Sequence, residues 1–412
     1  MRGAELAAAV AERTDEAADL LSRIIRCPSV TGYEDEVSGV LAEWCRSHGW
    51  TVEIQPLTGT ELHRRGEIAD EERVEKRANV LAYPWSPTRA PLLVVNGHID
   101  VVPPGPSEGW KDDDPFSGSR VDGAVHGRGA VDTKGGIVAA LIGLDTLRRH
   151  GERPPFDVAL HLVVGEERSG VGTRASLELR PRPAAAIVLE ASDSRVVTAS
   201  SGLIQCELAV DGATAHTSSP WLGRDAFLHL LRMHAALAAR SQKQNAGLDD
   251  PAFDGIPVPL PFVAGVVSAG TYRNAVPAHA EMSVRFGLAP GQKVADAAAS
   301  LTDLVASVDA GREWPEPSRL QVVAGLAGWS TPPDSPLVRA MLGAVGQVGR
   351  DTAPRALTAG SDAGFYGELG IPTVLFGPGP MSLAHGPAEH LAEQELIDAA
   401  AVIAVAVAGL EL

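Results

Sequence analysis

Two histidines and five carboxylates stand where side chains act on a ligand. His98 and Asp100 close or follow the apolar run PLLVVNG, Glu166 and Glu167 follow DVALHLVVG, Glu190 follows AAIVL, and His385 comes eight residues after PTVLFG. Each run reads as a strand, and in an open α/β sheet ligands bind at the carboxyl ends of the strands. Asp132, in GRGAVDTKGG, precedes a helix and reaches the same edge if the connections are right-handed crossovers. Imidazoles and carboxylates gathered at one edge are the donor set of a di-zinc or similar divalent site. Without a cation the gathering is costly, because mutual repulsion raises carboxyl pKa values. His98 and Asp100 are two apart and point the same way on an extended chain. Asp100 can therefore hold one imidazole nitrogen while the other binds metal. Glu166 and Glu167 are neighbours and point apart, so one can bind metal while the other works on water or substrate.

Taken singly, each residue has a plainer reading. A histidine on an apolar strand is usually core, and His161 within HLVV is left as that. Glu166–Glu167–Arg168 alone reads as a solvated turn, Asp112–Asp114 as an exposed acidic loop, and Asp132 as a helix cap. Asp193 lies close to Glu190 but fits the strand end less well. What favours chemistry is the joint placement at one sheet edge.

The elements that position these residues can be read from periodicity. Helical spacing runs over 4–26 and 34–48, with CPSVTGYED between them. Strand-like runs follow at Thr51–Gln55, Ala78–Ala82 and Pro91–Asn96, and a helix over about 134–150 stops at Gly151 and Pro154. Asp157–Val164 and Ala185–Leu189 are further strands. Near-continuously apolar strands alternating with helices predict an α/β domain whose sheet is covered on both faces. From about Gly202, LIQCELAVDG and AHAEMSVRFG alternate apolar and polar residues as half-buried antiparallel strands do. With helices near 222–240 and 292–307 and a last strand in SRLQVVAG, this stretch has the order β-α-β-β-α-β. After Ser335 the α/β pattern returns: a helix at 336–348 with Pro336 in its first position, a strand at 372–377 and a helix at 392–408. The expected organisation is a metal-binding catalytic domain of residues 1–200 and 327–412, interrupted by an inserted domain of 201–326.

Composition narrows the function. The chain has 412 residues, 45% of them hydrophobic, enough for a sizeable core. Acidic residues outnumber basic ones 52 to 35, a formal charge of −17, which argues against a nucleic-acid partner. A small anionic substrate held by a few local arginines stays open. Cys27, Cys45 and Cys206 form no C-x-x-C pair, which fits a reducing compartment. The N-terminal segment reads as an amphipathic helix without a signal-peptide core, and the apolar stretch Ala399–Leu410 is too short to span a bilayer. The expectation is a soluble cytoplasmic protein without a membrane partner.

The segments NGHIDVVPPG, GRGAVDTKGG, GEERSG and VLEAS, with the late His385, resemble the M20 family of metallopeptidases and deacylases. That family includes acetylornithine deacetylase, succinyl-diaminopimelate desuccinylase, aminoacylase and glutamate-releasing carboxypeptidases, and the resemblance runs over nearly the whole chain. It implies a zinc-peptidase-like α/β domain, with a mixed sheet covered by helices, interrupted by a ferredoxin-like lid and dimerisation domain. It also implies two divalent ions, zinc with cobalt able to substitute. One is held by His98 and Glu190, the other by Glu167 and His385, and Asp132 bridges them with a cis peptide after it. Asp100 then backs His98 and Glu166 is the general base. AVDGATAHTSSP resembles the family's lid segment and puts His216 where a lid histidine supports the substrate carbonyl. TYRNAVPAHAEMSVRF places Asn274 and Arg285 at substrate contacts, and AGSDAGF puts Ser361 on a substrate-facing loop. HGPAEH departs from the pattern, with Ala388 where many members carry Asn. The implied activity is cleavage of an N-acyl amino acid by metal-activated water in a homodimer. The alternatives are a di- or carboxypeptidase acting on short peptides and a non-catalytic homologue.

Overall fold

The structure is a computed structural model that describes residues 3–88, 90–312, 314 and 316–412. It divides into two compact units. One comprises the chain up to Thr198, Thr331–Arg355 and Ser361–Leu412; the other comprises Ala199–Ser330 and Ala356–Gly360. The division thus lies two to four residues outside the expected limits of the insert, and a short late segment joins the smaller unit. That segment is held there by distant partners: Ser201 donates its amide to Leu357, and the Ser200 hydroxyl bonds the Ala359 carbonyl at 2.6 Å.

The larger unit is built on a mixed sheet. From one edge the strands run Thr51–Pro56, Ala78–Tyr83, Asp157–Val163, Leu92–His98, Ala185–Val188, Thr373–Leu375 and Val197–Ser200, whose last two residues already count with the smaller unit. The four from Asp157–Val163 to Thr373–Leu375 are mutually parallel, and those flanking them are antiparallel. These central strands are buried on both faces, which is why their sequences are continuously apolar. The helix Gly135–Arg149 is buried over nearly its whole length, and it packs against the equally apolar helix Glu393–Gly409. Arg148 and Arg149 end the former, where cations favour the helix dipole.

The N-terminal helix is broken in two, Gly3–Ala11 and Thr14–Ile25. Arg13 leaves helical geometry, with φ −104° and ψ 17°, and its guanidinium meets the buried Asp145 at 3.0 Å. A long-range ion pair thus overrides local periodicity. A small sheet of Arg120–Val121, Ala124–His126 and His390–Ala392 was not expected either; strands this short carry no readable alternation.

The smaller unit has the order β-α-β-β-α-β: Gly202–Asp211, Ala226–Ala246, Phe262–Ala269, His279–Leu288, Val294–Asp309 and Arg319–Leu326. Its four strands form an antiparallel ferredoxin-like sheet, with Gly202–Asp211 and His279–Leu288 at the centre. Ile204, Cys206, Leu208 and Val210 alternate inward to a core shared with the two helices. The first helix begins at Ala226 rather than 222 because Asp225 caps it, accepting the Leu228 amide at 3.0 Å. Among the described residues, no helix is long and apolar enough to cross a membrane.

Candidate metal centre

The parallel strands deliver their carboxyl ends to one edge of the sheet, and the site is assembled there. His98 is the last residue of Leu92–His98 and is buried. Its Nδ1 faces the backbone carbonyl of Asp100 at 2.9 Å, while Asp100 Oδ1 stands at 3.7 Å. The carbonyl of Asp100, rather than the carboxylate expected from its spacing, therefore orients the ring. The carboxylate is occupied elsewhere: it accepts the Thr31 hydroxyl at 2.8 Å and the amides of Glu166 and Glu167 at 3.1 and 3.3 Å. Asp100 so anchors the turn that carries both glutamates.

With Nδ1 donating to a carbonyl, Nε2 of His98 is the ring's ligand atom. It lies 3.0 Å from Asp132 Oδ1 and 3.8 Å from Glu190 Oε1. The other oxygen of Asp132 lies 3.1 Å from His385 Nε2, which is 3.4 Å from Glu167 Oε1. Asp132 thus gives one oxygen to each imidazole. Two groups result, His98–Asp132–Glu190 and Asp132–Glu167–His385, in each of which one ligand atom per residue lies within 4.8 Å of the others. The Asp132–Thr133 peptide is cis, and His385 adopts a left-handed φ of +61°. Asp193 joins neither group.

The electrostatics fit a cation. Burial pushes the Glu190 and Glu166 carboxyls well above the usual range, and nearby carboxylates add to this while His98 opposes it. Burial also acts to raise Asp132, yet the imidazoles of His385 and His98 hold it below the ordinary carboxylate range. A cation would offset the cost of burying these carboxylates together, and two histidines with carboxylates suit zinc or a similar ion. Glu166 belongs to neither ligand group.

Ser361 is buried with its hydroxyl unpartnered among the described residues. Its neighbour Asp362 carried no signal of its own in the sequence, although it lies in AGSDAGF. Its carboxylate accepts the Thr173 hydroxyl at 2.6 Å and the Asn96 amide at 3.4 Å, and burial pushes it up to about 6. In the smaller unit, His216 and Asn274 lie on laced loops. Thr217 donates its amide to the Asn274 carbonyl at 3.3 Å, and His216 Nδ1 contacts the Ser218 hydroxyl at 2.8 Å. Arg285, on His279–Leu288, donates to the Thr358 carbonyl at 2.6 Å.

A profile of peptidase family M20/M25/M40 matches residues 94–408, a span that contains every ligand of both groups. The chain belongs to this family. Among curated relatives, a protein of Aspergillus terreus described as a probable carboxypeptidase is 32% identical over 65% of this chain. The chain spans 59% of the length of that relative and 60% of one from Aspergillus flavus. Among solved structures, aminopeptidase PepT from Bacillus cereus is similar in fold, with TM-score 0.73 at 19% identity over 96% of this chain and 98% of that one. So is the Bacillus subtilis YXEP protein, described as a dinuclear metal binding peptidase of the M20 family, with TM-score 0.67 at 16% identity over 96% and 97% of the two chains.

Proposed function

We propose that this M20 protein is a metal-dependent hydrolase of linear amide or peptide bonds. The carrying observation is the split of Asp132, one oxygen to the His98 group and one to the His385 group. In this reading His98 and Glu190 hold one divalent ion, Glu167 and His385 hold another, and Asp132 serves both; zinc is the native metal, with cobalt able to substitute. Such ions, when bound, acidify water and polarise a carbonyl. Glu166 takes the proton of the attacking water and delivers it to the leaving amine, the task for which a raised carboxyl pKa is suited. His216 donates to the developing oxyanion. Arg285 and Asn274 hold a substrate carboxylate, for which a guanidinium is the natural partner, and Ser361 faces the substrate.

The substrate in this reading is an N-acyl amino acid, cleaved to a carboxylic acid and an amino acid. The carboxypeptidase description of the 32%-identical relative favours a second reading, removal of a C-terminal residue from a short peptide. Both use the same centre. The protein works as a homodimer in the cytoplasm; three cysteines that are all buried and free support the latter.

The test combines metal content with a substrate panel. Elemental analysis of active protein should find about two divalent ions per chain, and chelation should abolish activity that Zn²⁺ or Co²⁺ restores. N-acetyl, N-formyl and N-succinyl amino acids, assayed beside dipeptides and longer peptides, separate the two substrate readings. Active protein without stoichiometric transition metal overturns both.

A further inference from the structure

Outside the ligand set, one buried carboxylate grips the turn that carries the shared ligand. Glu389 is 1% exposed and immediately precedes the strand His390–Ala392. Its Oε1 accepts the backbone amide of Val131 at 3.1 Å and that of Asp132 itself at 3.4 Å. Its Oε2 accepts from Arg128 Nη1 at 2.6 Å. Arg128 is 2% exposed, and its guanidinium carbon sits 4.9 Å from the centre of the Trp110 ring. The main chain closes the arrangement, as Gly127 donates its amide to the Glu389 carbonyl at 3.0 Å.

The gripped turn is irregular. Within Ala130–Lys134, Asp132 has φ −119° and ψ 88°, and Thr133 has φ −131° and ψ 21°. Amides at the start of a helical segment lack intrahelical acceptors, so an outside acceptor decides where they point. Hydrogen bonds from amides to an ionised carboxylate are about twice as strong as neutral ones. Burying that carboxylate is costly unless it is paired, and Arg128 supplies the pair. Glu389 is also four residues beyond His385 in the chain. One side chain therefore ties the backbone of the ligand shared by both groups to the segment that bears the second imidazole.

We propose that Glu389, held by Arg128, is a positioning residue that sets Asp132 and His385 at the spacing the second ion requires. The inference rests on the two-ion reading of the centre. It concerns geometry at the ligands, so its first effect is on metal binding, with activity following from it.

Three variants test it: Glu389→Gln, Glu389→Asp, and the double change Arg128→Met with Glu389→Gln. Glu389→Gln keeps an acceptor for the amides but leaves Arg128 an uncompensated buried charge. The double variant removes that charge and serves if the single one does not fold, and Glu389→Asp keeps the charge at shorter reach. Metal-free protein is titrated with Co²⁺ against a competing chelator, its visible absorption recorded, and its thermal unfolding followed. Expected are folded variants that bind the second ion about 10–100-fold more weakly. The Co²⁺ band should change, and kcat should fall while KM stays nearly constant. Glu389→Asp should lie between the wild type and Glu389→Gln. If the unaltered protein binds two ions and every folded variant does so with the same affinity and spectrum, Glu389 is merely structural and the inference fails alone. If the unaltered protein itself takes up no second ion, the two-ion reading fails and carries the inference with it.

Discussion

Glu166 and Glu167 are neighbours in sequence with different neighbours in space. Glu167 reaches His385 at 3.4 Å and completes a ligand group, while Glu166 stands outside both groups. Glu167→Ala should therefore lose bound metal. Glu166→Ala should keep its metal and fold and lose ~10²–10⁴ in kcat, as removal of a general base does. Elemental analysis and steady-state rates on the two variants check this, and exchanged phenotypes would reverse the roles. His161 offers a second test at this scale, away from the ligands. It is 4% exposed, and burial pulls its imidazole down to about 4. An unfolded histidine titrates near ~6.5, so between those pH values the unfolded chain binds more protons and stability falls as pH drops. Complete passage through that window costs about 3 kcal/mol. His161→Leu should remove this loss. Urea unfolding of both proteins at pH values above and inside the window should show the variant gaining on the wild type as pH falls. Parallel curves would mean that the imidazole is not held neutral.

At the scale of elements, close packing decides what a glycine is for. A Cβ at Gly143, in Gly135–Arg149, runs into the Ala400 carbonyl oxygen of the facing helix, whereas one at Gly343, in Pro336–Gln347, meets none of the described residues within 4 Å. The same substitution should thus change sign. Gly143→Ala forces two buried helices apart and should cost about 1–3 kcal/mol. Gly343→Ala should add about 0.5–1 kcal/mol by favouring the helix. Denaturant unfolding of the pair checks both, and a stabilising Gly143→Ala would refute the close approach. Elements of this buried kind were legible in the sequence. Leu92–His98 and Glu393–Gly409 lie within two residues of their expected bounds, because burial on all sides leaves long apolar runs, and Pro336–Gln347 lies within one, marked by its first-position proline and a one-sided apolar face. Elements whose determinants are tertiary were not. The break at Arg13 comes from Asp145, and the strand His390–Ala392 exists only by pairing with Ala124–His126. The same distinction holds at the metal centre. His98, Glu167 and Glu190 could be read because strand ends place them. Glu389 and Asp362 could not, because their partners are amides and side chains brought together only by folding.

At the scale of the whole molecule, the smaller unit leaves a sheet edge open. Among the described residues Phe262–Ala269 pairs with one strand only, and its Val266 and Val267 are 62% and 54% exposed. The helix Ala226–Ala246 likewise turns Leu228 and Leu231 to the surface. An open edge flanked by exposed apolar side chains favours isologous pairing with a second copy of the chain. We propose in addition that in such a homodimer His216 serves the partner subunit's centre, which makes a prediction that no monomer makes. His216→Ala homodimers should lose ~10²–10³ in kcat, the cost of one oxyanion donor, and Glu166→Ala homodimers should be inactive for their own reason. Co-expressing the two under different tags gives mixed dimers. In each, the His216→Ala chain keeps Glu166 and receives an intact His216 from its partner, so one of the two sites is complete. With random pairing, roughly a quarter of all sites should recover. If His216 serves its own chain, both sites of a mixed dimer lack one group and none recovers. Doubly purified mixed dimers that regain activity establish service across the dimer; mixed dimers that stay inactive rule it out.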